Sequence, residues 1–346
     1  MIDKPIRVLI IDDSAFARKV IREVLETDSS IEVVGYARDG LDGLEKIADL
    51  KPDIVTLDLI MPDLDGIGLL KAIPKENPPK FIVVSASGSE SDLALEALEL
   101  GAIDIITKPT ASPSDKLYEM SEELLRTIKG AMDAVSIPYF GELRKNTFVK
   151  SPEIATSGKI KLVVIGTSTG GPQAITELFK TFPENFPIPV VIALHIPAGY
   201  TTSLAERVSR SGNLNLIEAY NGIELVAHQA YIAPGGMHLK IKNEGGKIFA
   251  NVTKEPYESL YHPSVNILFE TAATELNGAV LGVVLTGMGN DGTNGAKAIK
   301  DAGGVIIAES ASSCVVYGMP RSIIENGLSN VEAPLKKIVS TILSQI

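Results

Sequence analysis

Short apolar runs recur through the first third of the chain at residues 6–11, 31–36, 54–57, 81–84 and 103–107, separated by segments in which apolar positions return with a helical period. Runs that are apolar on both faces suit strands sandwiched between two layers of helices. Five such strand–helix units predict a doubly wound parallel α/β sheet. After a last helix near residues 115–132 the pattern decays into Ser136-Ile137-Pro138, Gly141, Ser151-Pro152 and Ser157-Gly158, a composition suited to a linker. The expected organisation is a first domain over 1–125, a linker over 126–158 and a second domain over 159–346.

A second series begins at 161–166, with further strand candidates at 189–194, 214–218, 230–233, 247–252, 279–285 and 304–308. Helix-period segments follow Gly170, Tyr200, Pro263, Asn290 and Pro320, and a closing helix is expected from about Ala333. The stretch 229–253 carries no helical period, so an antiparallel hairpin is expected inside a mostly parallel, doubly wound second domain.

Length and composition support this division. A chain of 346 residues exceeds one ordinary core, and 45% hydrophobic with 22% charged residues is globular composition. The start, Met1-Ile2-Asp3-Lys4-Pro5, lacks the basic and apolar regions of a signal peptide, and no run reaches membrane-span length. A single cysteine, Cys314, cannot form an internal disulfide, which fits a reducing compartment. A cytoplasmic, monomeric protein without membrane insertion is the expectation. The net charge of −11 is uneven: residues 1–122 hold 13 of the 32 Lys/Arg and 24 of the 43 Asp/Glu. An acidic half beside a neutral half suggests two units with different partners, and no basic, aromatic-interleaved patch points to nucleic acid.

Candidate chemistry lies at the carboxyl ends of predicted strands, where open α/β sheets place their sites. Asp12 and Asp13 end the first strand and Asp58 the third; Ser85 ends the fourth, and Lys108 follows the fifth. Neighbouring carboxylates repel one another, so a hard divalent cation, Mg²⁺, is the natural compensation. Any one of these residues alone could be a solvated acid or a helix cap, but five along one edge form a set. With Met61-Pro62-Asp63-Leu64-Asp65-Gly66 after Asp58, the set resembles the response-regulator receiver family over residues 5 to about 125. The resemblance implies that Asp58 takes a phosphoryl group from a phosphohistidine on a partner kinase. It also implies that Asp12, Asp13 and Asp58 serve Mg²⁺, and that Ser85 and Lys108 register the phosphoryl group. Ile105 stands where such domains often carry an aromatic switch residue, a departure from the pattern.

In the second domain, Gly166-Thr167-Ser168-Thr169-Gly170-Gly171 joins a strand to a helix and satisfies G-x-S-x-G. A serine on such a turn stands clear of the sheet beside the unpaired N–H groups of a helix start. It needs a base, and His195 ends the strand expected to pair beside it. A carboxylate at a third strand end completes a relay: Asp291, in Thr286-Gly287-Met288-Gly289-Asn290-Asp291-Gly292, the alternative being an N-cap of the following helix, a role equally suited to Asn290. His228, His238 and His262 are assigned structural roles, with His238 and His262 as lesser candidates for substrate contact.

These stretches, with Leu194-His195-Ile196-Pro197, Tyr231-Ile232-Ala233-Pro234-Gly235-Gly236 followed by His238, and Tyr317-Gly318-Met319-Pro320, resemble the chemotaxis protein-glutamate methylesterase family over about 160–340. The resemblance implies hydrolysis of glutamate γ-methyl esters on methyl-accepting chemotaxis receptors, with methanol released, and deamidation of receptor glutamines. Ser168 would be the nucleophile, His195 the proton shuttle and Asp291 its orienter, with the oxyanion on the backbone N–H groups of Thr169 and Met288 and no metal needed for hydrolysis. Phosphorylation of Asp58 would relieve occlusion of the hydrolase by the acidic domain. Two alternatives remain: a receiver-controlled esterase or amidase for a small soluble substrate, and a phosphorylation-dependent binding module.

Overall fold

A computed structural model describes residues 4–74, 76–85, 90–108, 114–133 and 160–346. The chain divides into two compact units, Met1–Glu142 and Leu143–Ile346. Among the described residues, no helix is long and apolar enough to cross a membrane.

All five strands expected in the first unit are present: β1 (Ile6–Ile11), β2 (Ile31–Ala37), β3 (Ile54–Leu57), β4 (Lys80–Ser85) and β5 (Asp104–Thr107). They form one parallel sheet in the order β2-β1-β3-β4-β5. The central strand β3 is buried throughout, and the last four residues of β1 are buried, which explains why neither shows polar alternation. Helices α1 (Ala15–Leu25), α2 (Gly40–Leu50) and α3 (Gly66–Ala72) begin on the side-chain caps Ser14, Asp39 and Asp65. These acids and hydroxyls stop each strand–helix turn where the backbone N–H groups would otherwise lack partners. Helices α4 (Ser91–Glu99) and α5 (Ser114–Asp133) complete the unit. Helix α5 matches the last helix expected near 115–132, and residues 134–158 of the expected linker lie outside the described residues.

In the second unit seven parallel strands run in the order β14-β13-β12-β6-β7-β9-β8. They are β6 (Leu162–Thr167), β7 (Val190–Leu194), β8 (Asn215–Glu218), β9 (Gln229–Ile232), β12 (Val280–Val284), β13 (Val305–Glu309) and β14 (Val331–Ala333). The hairpin expected within 229–253 is β10 (His238–Glu244) paired antiparallel with β11 (Lys247–Thr253). It forms its own two-stranded sheet, while residues 229–232 join the parallel one. The short edge strand β14 was not expected; three residues are too few to show a period, and the closing helix α11 (Leu335–Leu343) starts after it.

Helix α6 (Gly171–Phe179) packs on α7 (Thr201–Ser211) and α11, and α8 (Val265–Leu276) packs on α9 (Thr293–Asp301) and the hairpin; α10 (Met319–Glu325) lies against α9. Leu239, Ile241, Ile248 and Ala250 of the hairpin share a buried cluster with Leu268, Phe269 and Ala272 of α8 and with Val164 and Val191 of the sheet. From β6 the chain proceeds one way to β7, and from β12 the other way to β13. The carboxyl ends of β6 and β12 therefore flank a topological switch point, the crevice where such sheets bind ligands.

Candidate active site and phosphoacceptor site

Three adjacent strands deliver the hydrolase residues. Ser168 follows β6, His195 follows β7 on one side, and Asp291 lies beyond β12 on the other. The Ser168 hydroxyl lies 3.1 Å from His195 Nδ1, and His195 Nε2 lies 2.8 Å from Asp291 Oδ2. An ionised carboxylate only accepts, so Nε2 carries the proton and donates to Asp291, leaving Nδ1 to accept from Ser168. The imidazole thus meets the serine through Nδ1 rather than through the Nε2 used in the chymotrypsin arrangement.

Asp291 also accepts from the backbone N–H groups of Val265 at 2.7 Å and Asn266 at 3.0 Å, and from the Ser264 hydroxyl at 3.1 Å. Its carboxylate therefore sits on the N-terminus of α8, whose side-chain cap is Ser264. The expected alternative, an N-cap of the helix that follows Asp291, is overturned: α9 starts on Gly292 with no side-chain cap. Burial would raise the Asp291 carboxyl, but hydrogen bonds from His195 and from the Asn266 and Val265 N–H groups outweigh it and hold the group below its ordinary range.

Behind the nucleophile, Thr286 joins the two halves of the site. Its carbonyl accepts from Ser168 N–H at 3.1 Å and from the Thr167 hydroxyl at 2.6 Å, and its hydroxyl donates to Thr169 O at 3.0 Å. Its own N–H donates to Glu309 Oε2 at 2.8 Å. Glu309 is fully buried, and burial pushes its carboxyl up to about 7 against opposing hydrogen bonds from Ser313 and Thr286.

The loop after Thr286 passes directly over the serine. A Cβ placed on Gly287 would lie 2.9 Å from Ser168 Cβ and 2.4 Å from Met319 Sδ. From the other side, a Cβ on Gly318 would lie 3.1 Å from Met288 Cα and 2.7 Å from Gly287 O. Both ends of Gly287 are engaged, its N–H with Val316 O and its carbonyl with the N–H groups of Gly318 and Met319. Gly170, with φ of 78°, lets the chain turn into α6 immediately past Thr169. Thr169 adjoins Ser168 in the chain, and Met288 follows the glycine that packs on it.

Sequence reasoning missed several contributors. Tyr261 stacks on His195 with ring centroids 4.0 Å apart and planes 7° apart. Ser264, Thr286 and Glu309 complete the support just described. Only Ser264 carried a legible signal, a hydroxyl after Pro263 at a helix start; the others depend on how loops meet in space. His238 and His262 lie against each other with centroids 4.3 Å apart, and His238 is fully buried.

In the first unit, oxygens of Asp12, Asp13 and Asp58 lie within 4.8 Å of one another. Lys108 Nζ reaches both buried acids, at 2.7 Å from Asp58 Oδ2 and 3.0 Å from Asp12 Oδ2, the second without hydrogen-bond geometry. Burial, with the Asp12 charge behind it, pushes the Asp58 carboxyl up to about 6, and Lys108 opposes the rise. Burial would lower the Lys108 ammonium, but its pairs with Asp58 and Asp12 raise it instead. Three carboxylates facing one ammonium, with Asp12 Oδ2 buried and lacking a donor, fit a hard divalent cation. The Ser85 hydroxyl, fully buried at the end of β4, donates to the Glu90 carboxylate. Ile105 is buried within β5.

A serine, histidine and aspartate in hydrogen-bond sequence at a switch point, in one chain with an aspartate cluster on a receiver-type sheet, define a class: a serine hydrolase joined to a phosphoacceptor domain. Models of two families match, the CheB methylesterase over residues 163–342 and the response regulator receiver domain over 8–120. A protein-glutamate methylesterase/protein-glutamine glutaminase of Myxococcus xanthus is 48% identical over 97% of both chains, and one of Thermotoga maritima is 41% identical over the full length of both. The crystal structure of the Thermotoga maritima CheB methylesterase catalytic domain matches with a TM-score of 0.53 and 40% identity, covering 55% of this chain and all of that one. The chain belongs to the CheB protein-glutamate methylesterase family.

Proposed function

We propose that the chain is a phosphorylation-activated hydrolase that removes methyl groups from glutamate γ-methyl esters of chemotaxis receptors, releasing methanol, and deamidates receptor glutamines. The observation that carries this reading is the continuous hydrogen-bond chain Ser168–His195–Asp291 beside the loop of Gly287 and Met288. Ser168 Oγ attacks the ester carbonyl while His195 Nδ1 takes its proton, and Asp291 stabilises the imidazolium through Nε2–H. The negative charge that develops on the carbonyl oxygen falls to the N–H groups of Thr169 and Met288. Nδ1 then returns the proton to the departing methoxide, giving methanol. Water enters by the same route in reverse, leaving a glutamate carboxylate and free Ser168. With a glutamine substrate the leaving group is ammonia.

In the first unit Asp58 accepts a phosphoryl group from a chemotaxis histidine kinase. Asp12, Asp13 and Asp58 would hold Mg²⁺, which neutralises charge on the transferring group. Lys108 and Ser85 would contact its oxygens, which requires Ser85 to exchange its partner Glu90. Neither step calls for nucleic acid or membrane insertion, and the working unit is taken as the monomer.

The test is methanol release from methylated receptor membranes with and without acetyl phosphate. Wild type should be stimulated by the phosphodonor, Ser168→Ala should release none, and Asp58→Asn should keep a basal rate that the phosphodonor leaves unchanged. Release by Ser168→Ala at the wild-type rate would remove the mechanism.

A further inference from the structure

The ring stacked on His195 belongs to no motif in the sequence. Tyr261 lies in the segment between β11 and α8, and its phenol plane is 7° from the imidazole plane at 4.0 Å between centroids. Its hydroxyl reaches towards the oxyanion loop, where a Cβ on Gly289 would stand 3.4 Å from it.

The segment that carries Tyr261 is held at both ends by one side chain. His238, buried on β10, accepts from the Ser264 N–H through Nδ1 at 3.2 Å and donates from Nε2 to the Pro256 carbonyl at 3.2 Å. An imidazole that accepts at one nitrogen is neutral, in keeping with the burial that holds His238 below its ordinary range. Ser264 passes the support on, since its hydroxyl donates to Asp291. The segment is thus fixed to the same carboxylate that bonds the His195 imidazole, and Tyr261 lies between its two fixed points.

We propose that Tyr261 is a positioning residue of the hydrolase. It confines the imidazole to the plane that joins Ser168 to Asp291, and its negative ring face favours the imidazolium that forms as Ser168 gives up its proton. Among the described residues, the groups hydrogen-bonded to or stacked on His195 are the Asp291 carboxylate from the loop after β12, the Ser168 hydroxyl from the turn after β6, and the Tyr261 ring from this segment. Asp291 supplies the charge and Tyr261 the aromatic face. The kinetic arm of the test rests on the methylesterase reading; the titration arm does not.

Three full-length variants separate the role from simple packing. Tyr261→Phe keeps an electron-rich face and should stay within about threefold of the wild-type kcat. Tyr261→Leu should lose kcat by about tenfold with KM within twofold, and the acid limb of its pH–rate profile should move to lower pH, because an imidazolium without the ring gives up its proton more readily. Tyr261→pentafluorophenylalanine keeps the shape but inverts the electrostatic face, and should behave as the Leu variant does. Should the Leu variant fail to fold, the fluorinated ring decides alone. Following the His195 imidazole by ¹H–¹⁵N NMR reads the same displacement without turnover. If the fluorinated variant matches Phe in kcat and in titration, the ring is packing and the proposal is overturned. If no protein releases methanol, wild type included, the esterase reading fails while the NMR titration still decides the stack.

Discussion

Asp291 accepts from the His195 imidazole, the proton shuttle of the proposed reaction, and at the same time anchors the N-terminus of α8 through Ser264, Val265 and Asn266. One carboxylate therefore serves chemistry and architecture, so its replacement alters both. Glu309 makes a cleaner single-residue case, since it touches no substrate-facing group. Its carboxyl, pushed up by burial to about 7 from an ordinary 4.5, binds a proton more tightly in the folded protein than in the unfolded chain. That contribution is fully present below pH 4.5 and is lost as pH rises through 7, on the order of 3 kcal/mol in all. Glu309→Gln, which keeps an acceptor for Thr286, should flatten the fall in stability between pH 4.5 and 7 in urea denaturation and be more stable than wild type at pH 8. An unchanged slope would mean that Glu309 titrates as an ordinary acid. At this scale the sequence was legible where side-chain type and strand-end position coincide, as for Ser168, His195 and Asp291. It was silent on Tyr261, Thr286 and Glu309, whose contacts come from residues tens of positions away and follow no period.

At the scale of elements, the site depends on two glycine-bearing segments, one pressed against Ser168 and the other backing the first. The 287–289 loop has Ser168 on one side and Gly318 on the other, with no room for a side chain at either glycine. Gly287→Ala should push Met288 away from the serine and lower kcat by about 100-fold or more, the cost of losing one oxyanion donor, with a loss of stability of about 1–3 kcal/mol from the overpacking. A variant with wild-type kcat would place the oxyanion donors elsewhere. The strands themselves were readable because buried parallel strands are continuous apolar runs, and the five runs of the first unit and the β6, β7 and β12 runs of the second stand out. The edge strand β14 was not, being three residues long, and the separate sheet of the hairpin was not, because alternation along a strand does not reveal its partner.

For the whole molecule, the acid excess of residues 1–122 and the near-neutral balance of the remainder mark two units with separate sheets and separate sites. If the receiver restrains the hydrolase, residues 159–346 alone should release methanol faster than the unphosphorylated full chain. A tenfold difference corresponds to about 1.4 kcal/mol between the restrained and active states. Equal rates would mean that the receiver acts in some other way, such as bringing the enzyme to its substrate. Thr286 has a wider consequence for such a molecule. Because the Thr286 carbonyl holds the Ser168 N–H and the next residue, Gly287, packs on the serine side chain, one stretch of backbone sets the serine against the 287–289 loop, and changes in the acyl group accepted are expected to arise in the surrounding rim.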